Sequence, residues 1–353
     1  MVRKRLLDTK LNQKFVHALI GRSIFIRYLE DRNVLTSQYF QKIAKGNPKW
    51  EQCLAEELEK PDFMQGWEKR KYVKVLRNKE FTYALFNQLA TDFNGDMFPK
   101  DLDEEKAIDE KKHLAPLRDF LLGDPNSEQL FFWAYDFEII PIELISSIYE
   151  EFYHKENIYD AGKKTKAKQD DKGTHYTPSV LVEYVLSQVL TKERLATKPR
   201  ILDPACGSGI FLVEAFRRVV RHEVKKKGDM LSPDELRNIL RKQIWGIEIN
   251  EEAIRIAAFS LYLALLHYQE PPDILQRRLP NLIYTHSWLR DEDHYHILFE
   301  KNTFALTDIE REQVNKKLQE LPLYKGRAED VRLSHSQAVL PLSLHSFDII
   351  VGN

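Results

Sequence analysis

The chain has 353 residues and nearly balanced charge, with 53 Lys and Arg against 54 Asp and Glu and a formal net charge of −1. This balance excludes a histone-like polycation, although a basic face can coexist with a neutral total. An apolar content of 43% with 30% charged residues is typical of a globular protein and excludes a disordered chain. The length favours about two domains, on a scale of roughly 150 residues per domain.

The two cysteines, Cys53 and Cys206, are far apart and lie in no CxxC or Cys/His pattern. The sequence therefore supports neither a disulfide framework nor a zinc site, and we predict no metal. We find no signal peptide and no run of about 18 apolar residues that could span a bilayer. We therefore expect a cytoplasmic protein without a membrane partner.

The first half of the chain has helical periodicity. Between residues 11 and 35, apolar side chains recur at steps of three and four, which predicts one buried helix face. Residues 81–93 repeat the pattern, and Pro141 is placed to open a further helix. We predict a helical, connector-like domain over residues 1–154.

Residues 155–172 are polar, and four lysines fall between Lys163 and Lys168. We interpret this stretch as a basic linker or loop, because exposed lysine runs are common on solvated surfaces. Contact with nucleic-acid phosphates is the alternative, since Lys can provide it without base specificity.

From residue 173 onward, short apolar strands alternate with helices. Four strands are predicted, over residues 200–203, 244–249, 282–285 and 347–351. Ser232 and Glu235 form a capping box, and Asn250 is placed to cap the helix after the second strand. The alternation predicts an α/β fold over residues 173–353, with a doubly wound parallel sheet and right-handed crossovers.

A strand that ends in an acid leads into a small-residue turn between Ile201 and Gly209, with the sequence Ile-Leu-Asp-Pro-Ala-Cys-Gly-Ser-Gly. Gly207 and Gly209 permit positive φ, and the helix N-terminus beyond them offers free N–H groups. Asp203 beside this turn suits a ligand with an amino group rather than a pyrophosphate. The candidate binding residues of this segment are Asp203, Pro204, Ala205, Cys206, Gly207, Ser208 and Gly209.

Glu248 ends the second predicted strand, where an acid can bind two ribose hydroxyls in doubly wound nucleotide sites. The alternative, an acid in the first helical turn, fits less well because Glu248 precedes the expected cap at Asn250. Glu248, Ile249 and Asn250 are the candidate ribose-side residues.

These segments resemble the first two motifs of the S-adenosylmethionine-dependent methyltransferases, and DPACGSG is similar to the spelling in amino-group DNA methyltransferases. Upstream, Gly-Thr-His-Tyr-Thr-Pro at residues 173–178 resembles the G-x-Y-Y-T-P motif of the gamma-class adenine-N6 enzymes. Thr177 is placed to cap a helix opened by Pro178, where spare N–H groups can meet a carboxylate. An ordinary Thr-Pro helix start is the alternative for this segment alone. The resemblance implies that Tyr176, Thr177 and Pro178 help to bind the cofactor.

Residues 347–353, Phe-Asp-Ile-Ile-Val-Gly-Asn, resemble the family's fourth motif, in which a strand leads into Asn-Pro-Pro-Phe or Asn-Pro-Pro-Tyr. The resemblance implies that Asn353 is catalytic and accepts hydrogen bonds from the target amino group of a flipped base. An Asn rather than a Ser at this place favours adenine N6 over cytosine N4. The prolines and the aromatic residue of the motif do not follow Asn353 in this sequence.

The third predicted strand departs from the family pattern. It leads into Tyr-Thr-His-Ser-Trp-Leu, where the family usually has Gly-Asp/Asn-Ser-Leu and the Asp or Asn binds the adenine of the cofactor. His286 stands at that place, followed by Ser287. A histidine can hydrogen-bond adenine, so both residues are cofactor-binding candidates, and a structural role for His286 is an equal alternative.

Residues 19–35 and 135–150 resemble the helical region ahead of the methyltransferase domain in type IIG restriction–modification enzymes and related adenine methylases, type I modification subunits among them. The family's Rossmann-like sheet usually has the strand order 3-2-1-4-5-7-6, of which the sequence carries strands one to four. We therefore expect the N-terminal portion of a longer enzyme, inactive alone. Its partner would be the remaining C-terminal portion or a specificity subunit.

The resemblance as a whole implies transfer of a methyl group from S-adenosylmethionine to N6 of a flipped adenine in double-stranded DNA. The attack would be direct and in-line, with Asp203 at the methionine amino group, Glu248 at the ribose and Thr177 at the carboxylate. Three alternatives stay open: a methyltransferase acting on a protein glutamine or an RNA amino group, a noncatalytic S-adenosylmethionine- or DNA-binding fragment, and a nicotinamide-binding dehydrogenase. The last fits least, since G-x-G-x-x-G is missing after the strand.

Overall fold

The computed structural model describes residues 2–9, 11, 13–56, 70–93, 102–107, 113–122, 177–276, 278–284, 296–300 and 347–352. These residues form two compact units. The first contains the described residues up to 122 together with 269–280, apart from 277, and the second contains the rest. The basic stretch 155–172 and the second resemblance segment 135–150 lie outside the described residues.

The first unit is helical. Its helices up to residue 122 are α1 (Val2–Asp8), α2 (Gln13–Asp31), α3 (Ser37–Ala44), α4 (Pro48–Ala55), α5 (Tyr72–Val75), α6 (Lys79–Asp92), α7 (Asp103–Ala107) and α8 (Leu114–Leu122). Asn47 and Asn78 cap α4 and α6. In each case the side-chain oxygen accepts a hydrogen bond from the backbone N–H three residues later in the chain. These caps fix where the two helices begin.

Helix α2 is more deeply buried than its sequence predicts. All residues from 19 to 30 are buried, including Arg22, Arg27 and Glu30, so the helix buries more than one face. Apolar spacing alone predicts a buried stripe, whereas here the polar side also lies inside the unit. The charged side chains on that side therefore need partners.

The second unit is an α/β layer around a parallel sheet. Its elements in chain order are α9 (Ser179–Val189), α10 (Lys192–Ala196), β1 (Ile201–Asp203), α11 (Ile210–Lys227), α12 (Pro233–Gln243), β2 (Ile244–Glu248), α13 (Glu251–His267), β3 (Ile283–Tyr284), β4 (Leu298–Glu300) and β5 (Ile349–Ile350). The strands are ordered β3-β4-β2-β1-β5, and every adjacent pair is parallel. The predicted α/β fold with a parallel sheet is confirmed, and a strand lies at each of the four predicted places.

The predicted strand order 3-2-1-4 is wrong at one place, because an additional strand, β4, lies within it. Leu298–Glu300 was not predicted as a strand, yet it lies between β2 and β3 and pairs with both. The predicted third strand, observed as Ile283–Tyr284, therefore does not neighbour β2. A three-residue strand is too short to show an alternating pattern, and no recognised motif flanks Leu298–Glu300 as one flanks the equally short β1.

The predicted caps of the α/β unit are found at two helices. Ser232 Oγ accepts from Glu235 N, and the Glu235 carboxylate accepts from Ser232 N at 2.7 Å, which is the capping box of α12. Asn250 Oδ1 accepts from Ala253 N at 3.3 Å at the start of α13. The chain is thereby directed into a helix after each of these turns.

The stretch after α13 joins the helical unit. Helix α14 (Pro271–Gln276) lies there, and Arg32 Nη2 donates to the Gln269 carbonyl at 3.0 Å. Leu279 N donates to the Phe93 carbonyl at 2.5 Å. These residues fall within the predicted methyltransferase range 173–353, whereas in the fold they belong to the first unit.

Candidate functional site

Three chain segments meet at the carboxyl end of β1. Asp203 ends the strand, is 1% exposed, and its Oδ1 accepts a hydrogen bond from Ala205 N at 3.1 Å. Gly352 follows β5 on the other side, and a Cβ added there would lie 2.9 Å from Asp203 Oδ1. A larger residue at position 352 would therefore press on this carboxylate.

The turn after Asp203 depends on two glycines with positive φ. Gly207 has a φ of +52° and Gly209 a φ of +85°, as the sequence predicts. A Cβ added at Gly209 would lie 2.9 Å from the Cβ of Ala257 in α13, whereas one at Gly207 would meet open space. Gly209 thus combines a backbone requirement with a close approach, and Gly207 has the backbone requirement alone.

Glu248 connects this turn to the end of β2. Its Oε2 accepts from Gly207 N at 2.9 Å, and its Oε1 accepts from Asn250 N at 2.8 Å. A carboxylate oxygen has two lone pairs, so each of these oxygens can accept another hydrogen bond. Ile249 beside it is 58% exposed. The end of β2 therefore offers two acceptors and an apolar side chain.

The charge of the site is negative. Burial raises the pKa of Asp203 to about 7, the nearby charge of Glu248 adds to the rise, and the hydrogen bond from Ala205 N opposes it. Burial, with the same two carboxylates, also raises the pKa of the Cys206 thiol well above its usual value. Among the described residues, no Lys or Arg forms an ion pair with Asp203 or Glu248. A cationic ligand would relieve this imbalance.

The structure brings together most of the sequence-predicted residues that it describes. Hydrogen bonds join Asp203 to Ala205, Glu248 to Gly207 and Asn250, and Cys206 N to the Ile247 carbonyl. Pro204, Ser208 and Ile249 belong to the same turns. Four candidates lie outside the described residues: Tyr176, His286, Ser287 and Asn353.

The predicted cap at Thr177 is wrong. Helix α9 begins at Ser179, and the Pro178 carbonyl accepts the first helical hydrogen bonds, so Pro178 itself is the N-cap. A proline side chain has no acceptor, so the N-cap residue makes no side-chain capping hydrogen bond. Thr177 is buried and precedes the cap by one residue.

Gly352 and Glu300 are site-edge residues that sequence reasoning missed. Gly352 was visible only as the residue before Asn353, and its closeness to Asp203 depends on the pairing of β5 with β1. Glu300 lies at the end of the unpredicted strand β4, in register with Glu248. Within the described residues, we find no cluster of side chains suited to a metal and no helix long and apolar enough to span a membrane.

Two family models of methyltransferases match overlapping ranges of this chain. Residues 183–281 match the family model of the MmeI DNA-methyltransferase domain. Residues 242–353 match the Eco57I restriction-modification methylase model. The two matched ranges overlap and together include every strand of the sheet.

Three curated relatives show the same likeness. The Streptomyces coelicolor protein named adenine-specific methyltransferase PglX is 24% identical over 74% of this chain and 20% of its own length. RM.Eco57I of Escherichia coli, a type II restriction enzyme and methyltransferase, is 29% identical over 42% of this chain and 18% of its own. RM.BcgI of Heyndrickxia coagulans, named likewise, is 36% identical over 18% and 9%.

The chain therefore spans no more than 20% of the length of these relatives. The matches confirm the predicted resemblance to the DNA methyltransferases of restriction–modification systems. Of these three relatives, the Streptomyces protein is the one whose name specifies adenine.

Proposed function

We propose that this chain is a portion of a restriction–modification enzyme, and that the whole enzyme transfers a methyl group from S-adenosylmethionine to adenine N6 in double-stranded DNA. The two family matches, to a DNA-methyltransferase domain and to a restriction-modification methylase, support the reaction class. The name of the Streptomyces relative supports adenine as the target. A C-terminal portion or a specificity subunit would complete the recognition of DNA.

The observation that carries the cofactor assignment is the buried carboxylate of Asp203 without a basic partner among the described residues. Burying an uncompensated charge is costly, so the site favours a ligand that brings a positive charge to it. The amino group of S-adenosylmethionine would provide that charge. At Gly207 the turn leaves open space beside the backbone for the ligand.

The remaining cofactor groups have matching partners along the same edge. The free lone pairs of the Glu248 carboxylate would accept hydrogen bonds from the two ribose hydroxyls. Ile249 would cover the adjoining ring with its exposed side chain. The first turn of α9, whose N-cap residue Pro178 has no side-chain acceptor, would donate N–H groups to the carboxylate. Tyr176, His286 and Ser287 remain candidates for further cofactor contacts.

The chemical step requires an aligned nucleophile. S-adenosylmethionine supplies a methyl group that is activated by the sulfonium. Asn353 would accept hydrogen bonds from the target amine and orient its lone pair for in-line attack, without a covalent enzyme intermediate. Asn353 directly follows Gly352, whose backbone approaches Asp203, so the sequence links the target-amine acceptor to the cofactor amine site.

Calorimetric titration of S-adenosylmethionine into the chain tests this proposal. We expect binding to the wild-type chain and a loss of at least about tenfold in affinity for Glu248→Ala, because two hydrogen bonds to a charged acceptor are removed. Glu193→Gln is the matched control, since it removes one exposed negative charge from α10 in the same unit. Equal affinities of all three proteins would contradict the assignment of the site.

A further inference from the structure

Basic residues collect at the edge of the sheet where its strands begin, opposite to the edge that holds the candidate cofactor site. We call this surface the amino edge, and its cations are Lys192, Arg194, Lys198, Lys225, Lys226 and Lys242. Lys198 stands three residues before β1, and Lys242 stands two residues before β2. The first residues of these strands, Ile201 and Ile244, are register partners, and adjacent strands lie about 4.8 Å apart. Both lysines therefore flank the start of the same strand pair.

Helix α11 brings two further lysines to the amino edge. It begins after the carboxyl end of β1, and the chain must return across the layer before the parallel strand β2 can begin. Its 18 residues span about 27 Å, whereas the five residues of β2 span about 17 Å, so the end of α11 reaches the amino edge. Lys225 and Lys226 lie in its last turn, and α10, which contains Lys192 and Arg194, packs against α11.

The cations of the amino edge form no ion pair with any of the described residues. Five of the six side chains are exposed, and Lys242 is half-buried. The dipoles of α11 and α12 favour a cation in the last helical turn, which is a structural reason for Lys225, Lys226 and Lys242. That reason does not supply a counter-charge. A group of like charges without counter-charges produces a field that favours an anionic partner.

The acids of the same surface offset this charge only in part. Asp348 and Glu235 are already engaged in ion pairs with other basic residues, at 3.2 and 2.7 Å. The acids without an ion pair among the described residues are Glu193, Glu223 and Asp229. Within the described part of this surface, cations without an ion pair therefore outnumber such acids two to one.

Lys198 has a backbone conformation that lysine disfavours. Its φ is +55°, in the left-handed region, and its N–H donates to the Leu195 carbonyl at 3.0 Å where α10 ends. Glycine is the usual residue at such a helix end, and asparagine is the next. The Lys198 side chain is exposed, so packing does not explain a lysine there. A lysine at this position differs from a glycine in offering a solvated positive charge.

We infer that the amino edge binds the phosphate backbone of duplex DNA, without reading its sequence, outside the site of methyl transfer. The inference rests on the proposed function only in taking DNA as the partner. Duplex DNA has one negative charge per about 1.7 Å of its axis, and lysine and arginine bind its phosphates without base specificity. The carboxyl edge, with Asp203 and Glu248, has the opposite charge and lies about 17 Å away along β2. The bound phosphates therefore belong to DNA that flanks the target adenine.

Fluorescence anisotropy with a labelled duplex of arbitrary sequence, about 30 base pairs long, tests this inference at salt concentrations from about 50 to 200 mM. We expect the wild-type chain to bind, with a log affinity that falls linearly with log salt. Lys225→Gln/Lys226→Gln should lower the affinity about tenfold or more at the lowest salt and reduce the salt slope by about 0.9 per lost phosphate contact. Lys42→Gln removes an exposed lysine from α3 in the helical unit and should change neither quantity.

Variants at position 198 separate the charge from the fold. Lys198→Arg keeps the charge and should keep the wild-type affinity for the duplex. Lys198→Gly removes the charge and relieves the backbone, so the affinity should fall about threefold or more while the thermal unfolding temperature stays equal or rises. Glu193→Gln removes an acid from the same surface and should strengthen duplex binding, although it leaves the affinity for S-adenosylmethionine unchanged.

Unchanged affinity and salt slope in the lysine variants would overturn the inference, and so would a folded wild-type chain that binds no duplex at the lowest salt. Poly-glutamate of equal total charge serves as the competitor. If it displaces the labelled duplex as effectively as unlabelled DNA does, the surface binds acidic chains in general and the assignment to DNA is overturned. A chain that binds the duplex as expected but not S-adenosylmethionine would contradict the proposed cofactor site and leave this inference standing.

Discussion

The two units treat buried charge in opposite ways. In the helical unit, Arg22 and Glu105 are 1% and 0% exposed and form an ion pair with each other. In the α/β unit, Asp203 is equally buried and has no basic partner among the described residues. A buried charge with a partner of opposite sign contributes to the structure of the fold. A buried charge without one has a desolvation cost that a ligand of opposite charge can offset.

The pairing in the helical unit is extensive. Glu105 also accepts from the Tyr83 hydroxyl at 2.9 Å, and the Arg22 guanidinium lies 4.9 Å from the centre of the Phe86 ring. Arg27 on the same helix donates to Glu30 at 2.7 Å and to Asp31. The charged side of α2 is thus a set of structural contacts.

The largest expected effect comes from breaking one of these pairs. Glu105→Gln leaves the Arg22 guanidinium buried without an anion, and we expect the free energy of unfolding to fall by about 3–5 kcal/mol. Urea denaturation followed by circular dichroism measures it. The double variant Arg22→Met/Glu105→Leu should recover most of the loss, because no uncompensated charge remains. A decrease below about 1 kcal/mol for Glu105→Gln would show that the pair is not structural.

Asp203→Asn, in contrast, is expected to raise the free energy of unfolding. The folded-state pKa of Asp203, about 7, lies above its ordinary value of 3.8, so ionising this group opposes folding. Its stabilising contribution is present below about pH 4 and is lost as the pH rises through about 7. At pH 8 the variant should therefore be more stable than the wild type, by up to roughly 4 kcal/mol. It should also lose affinity for S-adenosylmethionine.

Thermal and urea unfolding at pH 5 and pH 8, without ligand, measure the stability difference. The gain should be smaller at pH 5 than at pH 8, since the unfolded chain already ionises this carboxyl at pH 5 whereas the folded chain does so only at the higher pH. A variant that is less stable than the wild type at pH 8 would mean that the ionised Asp203 carboxylate stabilises the fold. The contrast between the two units would then not hold.

Local chemistry explains how much of the site could be predicted from the sequence. The positive φ values at Gly207 and Gly209, the capping box at Ser232 and the cap at Asn250 each follow from a few neighbouring residues. The acid at the end of β1 was likewise visible in its own segment. At these positions, rules that act within a single turn predicted the local structure.

Long-range pairing explains what was missed. Arg22 and Glu105 are 83 residues apart in the sequence, and Arg32 and Gln269 are 237 apart. No local sequence pattern can predict either contact. Strand β4 is three residues long and acquires its role only by insertion between β2 and β3. The cap of α9 is a local miss instead, because the Pro178 carbonyl rather than Thr177 begins the helix.

The smallest effect concerns the two glycines of the site turn. Gly209→Ala places a Cβ at a φ of +85° and 2.9 Å from the Cβ of Ala257, so strain and overlap add. We expect a loss of about 1–3 kcal/mol in the free energy of unfolding, together with weaker S-adenosylmethionine binding. Gly207→Ala has the positive φ but open space, so its loss should stay near the lower value. Equal losses for the two variants, measured by urea denaturation, would show that the contact with α13 contributes nothing and that backbone conformation alone sets the turn.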